Sequence, residues 1–364
     1  MARRDGEENR PACYALVHPG LEAIAADEIV RDLGGEVKKT SKGVVVFRVD
    51  SLDSRLLKLR TVEDVFLLGW GSDDLTRKAV DLKSIQTWTS KNVDWQNLLQ
   101  IHHTIHARPK AKPTWRLVTQ MDGLRGYRRT DAGEAMSRGL GGVFPASWKP
   151  AITNASVEIW LTIVEDTAVC GMRLSDRTMR HRPWKTEHRA ASLRPSIAAA
   201  MVRLAGASPG DIFLDPMCGT GTIPGEMIEL SKSRKAGHIE IWCGDNDSDA
   251  IMASECNLRR LGPTMLTRWD TTRLPLARAS VDRIVCNPPF GKQMSSRDEI
   301  EALYKRLVFE WNRALKPGGR VVVIVSEPQV FRDAVKKSDW QAARQLKVEV
   351  LGQAASISVW QKPE

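Results

Sequence analysis

From Asp211 onward, short apolar runs alternate with longer stretches whose apolar residues recur three and four positions apart. The runs "DIFLDP", "HIEIWCGD", "MLTRWD", "SVDRIVCN" and "RVVVIVS" have strand length, whereas "TIPGEMIELSKS", "DSDAIMASECNLRRLG" and "RDEIEALYKRLVFEWNRALKPGG" have helical spacing. Repeated strand–helix units predict a doubly wound, mostly parallel α/β sheet. The tail "KVEVLGQAASISVWQ" predicts a closing antiparallel hairpin. Ahead of this block, "SIAAAMVRLAGASPGD" predicts a helix that stops at Gly206.

The first half has a different rhythm. "CYALVHPG" predicts a strand, and Leu21, Ala25, Ile29 and Leu33 lie four apart on one face of a helix that ends at Gly34 and Gly35. "GVVVFRVD" predicts a strand, "LDSRLLKLRTVEDV" a helix, and "FLLGWG" an apolar run. Residues 1–75 therefore read as a small α+β unit. In residues 76–180, "NVDWQNLLQI" has helical spacing, "TWRLVTQM" reads as a strand, and "DAGEAMSRGLGGVF" as a helix weakened by glycines. "ASVEIWLTIVEDTAVCGMRLS" alternates and breaks at Glu165-Asp166, a hairpin signal. The basic, apolar-poor stretch that follows reads as a linker over 181–192, and residues 193–364 as the α/β domain.

Composition narrows the class. The 364 residues are 42% hydrophobic and 27% charged, an ordinary globular balance with room for more than one domain. A net charge of +10 favours a polyanionic partner, although such a balance also serves solubility. The six cysteines are far apart and form no CxxC pair, which fits reduced thiols in a cytoplasm and excludes a zinc ribbon. No apolar run approaches the ~20 residues of a membrane span, and "MARRDGEENRPAC" lacks the apolar stretch of a signal peptide.

The strand ends carry the candidate chemistry. In such sheets ligands sit beyond the carboxyl ends of the strands. "LDPMCGTGTIPGE" ends the first strand at Asp215 and turns on Gly219 and Gly221. Its spacing is neither the GxGxxG of dinucleotide sites nor a phosphate loop ending in GK[ST]. A close-approach loop without a phosphate grip suits a nucleoside joined to an amino acid, which is S-adenosylmethionine. Asp215 then balances its ammonium or sulfonium charge. "CGDND" closes the second strand, where Asp245 is placed to accept from ribose hydroxyls. "RWDTT" closes the third, with Asp270 on the adenine side. Each acid taken alone also fits a turn or helix-start residue, the better account of Asp247 and Asp249.

The fourth strand ends in "CNPPFGK". An exocyclic amine is a poor nucleophile because its lone pair is delocalised into the ring. Two acceptors on its two protons favour tetrahedral geometry and localise that pair. Asn287 supplies a side-chain oxygen and Pro288 a carbonyl. Pro289 stiffens the loop, and Phe290 offers a face for an extruded base, worth roughly 1–3 kcal/mol. Cys286 precedes the motif on the apolar strand and reads as packing rather than as a nucleophile.

These motifs resemble the S-adenosylmethionine-dependent RNA guanine-N2 methyltransferases that carry an N-terminal THUMP domain. "RGYRRTDAGEAMSRGLGG", "ASVEIWLTIVEDTAVCGMRLSDRTMRHRP" and "SLRPSIAAAMVRLA" extend the likeness over roughly residues 115–364; the first hundred residues match in architecture alone. The resemblance implies a C-terminal Rossmann-like class I methyltransferase behind N-terminal ferredoxin-like (1–75) and THUMP (76–180) modules. It places the cofactor loop on Asp215, Pro216, Cys218, Gly219, Thr220 and Gly221, with Thr222, Asn246 and Thr271 beside it, the ribose acid on Asp245 and the adenine-side acid on Asp270. Asn287, Pro288, Pro289 and Phe290 become the target-base motif, and this chain keeps Asn-Pro-Pro-Phe where some eukaryotic relatives have Asp-Leu-Pro-Phe. The nearest members make N2-methylguanosine at position 6 of the tRNA acceptor stem, and their THUMP domain holds the 3′ CCA end.

On that reading the partner is tRNA, with Arg125, Arg128, Arg129, Arg180, Arg182, Lys185 and Lys292 as RNA-contacting residues. Tyr127 and Trp184 lie among them, although charge runs are also commonly plain solvated surface. His102 and His106 stand four apart, but no nearby Cys or acid completes a metal site. A cytoplasmic monomer is expected, with an activator subunit left open. Ribosomal RNA, adenine N6 or a protein glutamine as substrate, or a non-catalytic RNA-binding protein, are the alternatives.

Overall fold

The structure is a computed structural model that describes residues 11–106, 112–189, 192–233, 237–289, 296–350 and 352–364. The chain divides into two compact units: the first runs to Met179 apart from His18–Ile24, which group with the second, Arg180–Glu364.

In the first unit, β1 (Cys13–Val17), α1 (Glu22–Leu33), β2 (Glu36–Ser41), β3 (Val44–Arg48) and β4 (Val62–Ser72) are followed by α2 (Asp81–Lys91) and α3 (Trp95–Ile105). Then come β5 (Thr114–Met121), α4 (Arg129–Gly139), β6 (Lys149–Pro150), β7 (Val157–Val164) and β8 (Thr167–Arg173). All eight strands form one sheet in the order β2-β3-β1-β4-β8-β7-β5-β6. The 11-residue β4 joins its halves, pairing with β1 on one edge and β8 on the other. The hairpin expected at Glu165-Asp166 is β7–β8, with Glu165 at φ 53°. Tyr14 stacks on Phe66 at 4.5 Å within the core of this sheet.

The helix expected over "LDSRLLKLRTVEDV" is absent. A single 3-10 turn, Ser54–Lys58, is capped by Asp53, and the chain extends into β4 from Val62. The apolar run Val65–Leu67, fully buried, takes the chain from Val62 onward into the sheet.

The second unit contains α5 (Pro195–Ala205), β9 (Ile212–Asp215), α6 (Thr222–Ser233), β10 (Glu240–Asp245), α7 (Ser248–Leu258), β11 (Met265–Arg268), β12 (Val281–Cys286), α8 (Arg297–Ala314), β13 (Leu315–Val325), α9 (Pro328–Val335), β14 (Gln341–Val350) and β15 (Gln353–Gln361). Pro195 opens α5, and Gly206, in the left-handed region at φ 60°, ends it. The sheet order is β11-β10-β9-β12-β13-β15-β14. β9 to β13 pair in parallel, and β14 and β15 close the edge as the expected antiparallel hairpin. The chain winds outward from β9 through β10 to β11, then crosses back to β12. The order therefore reverses between β9 and β12, where a doubly wound sheet opens a crevice. Leu214, Ile284, Cys286, Tyr304, Trp311 and Val323 belong to the core beneath it.

Residues 181–189, within the stretch 181–192 expected as a linker, belong to this second unit. Arg182 pairs with Glu226 at 2.8 Å, Lys185 is buried, and Trp184 packs where a Cβ on Gly225 would collide with its ring. The segment is a strap across the start of α6.

Candidate active site

β9 delivers Asp215 to the crevice as its last residue. The chain must then turn sharply to enter α6. Gly219 and Gly221 make that turn in the left-handed region, at φ 54° and 75°. Three side chains pin the loop: Asp245 accepts from the Gly219 amide at 3.0 Å, Ser254 donates to the Gly219 carbonyl at 2.8 Å, and Asn257 donates to the Thr220 carbonyl at 2.8 Å. The Asn257 oxygen also accepts from the amides of Thr186 and Glu187, tying the strap to the glycine loop.

These elements enclose a cavity of about 430 Å³. Asp215, Cys218, Gly219, Thr220, Thr222, Asp245, Asn246, Asn287 and Pro289, all expected here, line it. Asp215 is buried: one carboxylate oxygen accepts from the Met217 amide at 3.3 Å, and Oδ2 has no partner among the described residues. Burial holds its carboxyl well above the usual carboxylate range, and the nearby Asp245 adds to the effect. Asn287 presents a buried Oδ1 that likewise has no partner among the described residues. Two unpaired acceptors thus line one cavity. Such groups cost free energy unless a ligand donates to them. The Cys286 thiol, at full burial in the core, is pushed up by desolvation and is no nucleophile, as its strand position implied.

Several expected site residues lie elsewhere. Pro216, Gly221, Pro288, Asp270 and Thr271 are not among the cavity's lining residues. Asp270 is exposed and accepts from the amide and hydroxyl of Thr272 at 2.8 Å, the local turn role that aspartate commonly takes. Thr271 is buried, with its hydroxyl accepting from the Trp311 indole. The Pro216 carbonyl accepts from the Trp269 indole at 3.0 Å. Phe290 and Lys292 lie outside the described residues.

The basic residues also divide. Arg128 and Arg129 are exposed at the start of α4, where Arg128 pairs with Asp131; Arg125 and Arg180 are half-buried. Arg182 and Lys185 are buried against α6 and cannot face an RNA surface, because their charges are used inside the fold. Tyr127 is buried too, donating to Asp81. Conversely, the sequence pattern missed Ser192 and Leu193, which line the cavity, and Arg189, which does so while paired with Asp247 at 2.6 Å. The one available signal was Trp184 inside an otherwise hydrophilic segment: a large apolar ring seldom stands in a free linker.

A parallel sheet with a reversed strand order, a glycine turn, acids at two successive strand ends and Asn-Pro-Pro at a third follow the pattern of the Rossmann-like methyltransferase fold. Residues 182–355 match the family model described as RMKL-like, methyltransferase domain. The tRNA (guanine(6)-N(2))-methyltransferase THUMP3 of Bos taurus is 32% identical over 227 residues, covering 58% of this chain. This chain spans only 44% of the length of that relative. The tRNA (guanine(6)-N2)-methyltransferase of Methanocaldococcus jannaschii is 23% identical over 92% of this chain and 96% of its own length. Among solved structures, TrmN from Thermus thermophilus shares the fold of both units, with a TM-score of 0.76 at 23% identity over 96% of this chain and 99% of that one.

Proposed function

We propose that this protein transfers a methyl group from S-adenosylmethionine to the exocyclic N2 amine of a guanosine in tRNA, at position 6 of the acceptor stem. The carrying observation is the pair of buried acceptors, Asp215 Oδ2 and Asn287 Oδ1, without a partner among the described residues, on one cavity at the sheet's switch point. The cofactor supplies an electrophilic methyl on a sulfonium. Asp215 meets its ammonium, and Asp245 takes the ribose hydroxyls. Asn287 Oδ1 accepts a proton of the target amine and so turns the nitrogen lone pair toward the methyl. No general base is needed to start this reaction, because the amine sheds its extra proton once alkylated.

The names of the bovine and Methanocaldococcus relatives support a guanine N2 substrate in tRNA. The first unit is assigned to docking that tRNA, including its 3′ CCA end. It carries a cleft of about 770 Å³ lined by Arg116, Arg177 and His103, among others. The His103 and Trp148 ring centroids lie 6.4 Å apart, and Trp148 continues a column of stacked rings through Phe144 to Trp115, with centroids spaced 5.6 and 5.2 Å. Cations beside part-exposed aromatic rings suit phosphate contact and base stacking.

The test uses two tRNA transcripts that differ only at position 6, one with guanosine and one with inosine, which lacks the N2 amine. The reading requires methyl incorporation into the first and none into the second. Equal labelling of both would overturn it.

A further inference from the structure

Lys185 was expected on an RNA-binding surface and lies instead behind the wall of the cofactor cavity. It is 7% exposed, and its ammonium donates to Thr222 Oγ1 at 2.7 Å and to the Leu193 carbonyl at 3.2 Å. Thr222 and Leu193 both line the cavity; Lys185 does not. A buried ammonium carries a heavy desolvation penalty, and an apolar side chain of similar shape would usually serve a fold equally well. Burial holds this ammonium down to about 8, with Glu226 opposing the drop. Glu226 is itself paired with buried Arg182 at 2.8 Å.

Hydrogen-bond direction shows what the ammonium does for the cavity. Lys185 has only donors, so Thr222 Oγ1 must accept, and the Thr222 hydroxyl proton is left to point away from it. Thr220 Oγ1 lies 3.5 Å from Thr222 Oγ1 and 3.0 Å from Ser192 Oγ. Three hydroxyl-bearing residues, Ser192, Thr220 and Thr222, therefore lie together in the cavity lining, beside the start of α6, with a positive charge behind Thr222. The helix N-terminus adds positive potential to the same spot. Other lining residues are acids: Asp215, Asp245 and Asp247. A ligand that satisfies both sides bears an ammonium and a carboxylate, as the amino-acid end of S-adenosylmethionine does.

We infer that Lys185 is a positioning residue that creates the subsite for the cofactor's carboxylate, acting through the hydroxyl of Thr222. The inference rests on the cofactor reading given above. Arg189 is the competing cation, because it lines the cavity directly, but its guanidinium is engaged by Asp247 at 2.6 Å.

The test compares two ligands by calorimetry without any RNA: S-adenosylmethionine and its decarboxylated form, which keeps the ammonium, sulfonium and adenosine. In Lys185→Met, affinity for the first falls about tenfold or more, the scale of a lost charge-assisted hydrogen bond, while the second stays within about twofold. Thr222→Val gives the same selective loss, and the double variant loses no more than either single one. Should Lys185→Met not fold, Thr222→Val carries the comparison. Equal loss of both ligands would mean a purely structural role, and loss of neither would mean no role; either overturns the inference. So does a carboxylate-selective loss in Arg189→Ala but not in Thr222→Val. A wild-type protein that binds neither ligand would bring down the cofactor reading itself, and this inference with it.

Discussion

Asn287 stands at the end of β12 with its Oδ1 buried and unpartnered among the described residues, and its replacement separates chemistry from binding. Asn287→Ala removes an acceptor that the amine meets in the transition state. It is expected to lower turnover by about 10²-fold or more while S-adenosylmethionine affinity stays within about twofold. Single-turnover kinetics beside calorimetry checks this, and joint loss of both would point to a structural role. Asp215 is the converse case. Its carboxyl, raised by burial, disfavours the charged form in the empty fold, so at neutral pH the ionised group costs stability and a bound ammonium relieves that cost. Asp215→Asn should therefore weaken cofactor binding by about tenfold or more, with a thermal midpoint no lower than wild type. A large fall in the midpoint would show that the carboxylate holds the fold together.

At the scale of elements, the site exists because β9 and β12 are neighbours in space but not in sequence. The strap then supplies the remaining wall. Gly225 in α6 leaves room for the Trp184 ring, so Gly225→Val should destabilise the second unit by about 1–3 kcal/mol in urea unfolding and weaken cofactor affinity together with it. Unchanged affinity would show that the strap does not shape the cavity. On α3, His102 is buried near His106, with ring centroids 4.8 Å apart, and burial holds it down to about 3. No group of three or more metal-binding side chains occurs among the described residues. The unfolded imidazole takes up a proton below about 6.5, while the folded one stays neutral. Its stability contribution is therefore full above that pH and is lost as pH falls, by about 2 kcal/mol at pH 5. His102→Gln should flatten that dependence; an unchanged slope would contradict the assignment. Much of this architecture was legible in the sequence, because Asp215, Asp245 and Asn287 each end an apolar run, and period and position agree there. What was not legible had opposing local signals. The 52–65 stretch has helical spacing, yet Val62 and Val65 at its end are claimed by β1, far back along the chain. Arg182 and Lys185 are charged residues, and only the packing of α6 against the strap reveals that they are buried.

At the scale of the whole molecule, a chain of net charge +10 carries, in one unit, a stretch that matches a methyltransferase family model and, in the other, a cleft with cations beside stacked aromatic rings. No helix among the described residues is long and apolar enough to cross a membrane. On the function proposed above, chemistry falls to the second unit and RNA selection to the first, because an Asn-Pro-Pro site serves any planar amine equally well. The substrate's identity is thus the claim on which the account stands. The most direct measurement incubates unmodified tRNA with S-adenosylmethionine labelled in its methyl group, then digests the RNA and identifies the labelled nucleoside. The account predicts label in N2-methylguanosine; label found only in N6-methyladenosine, or only in protein, would contradict it.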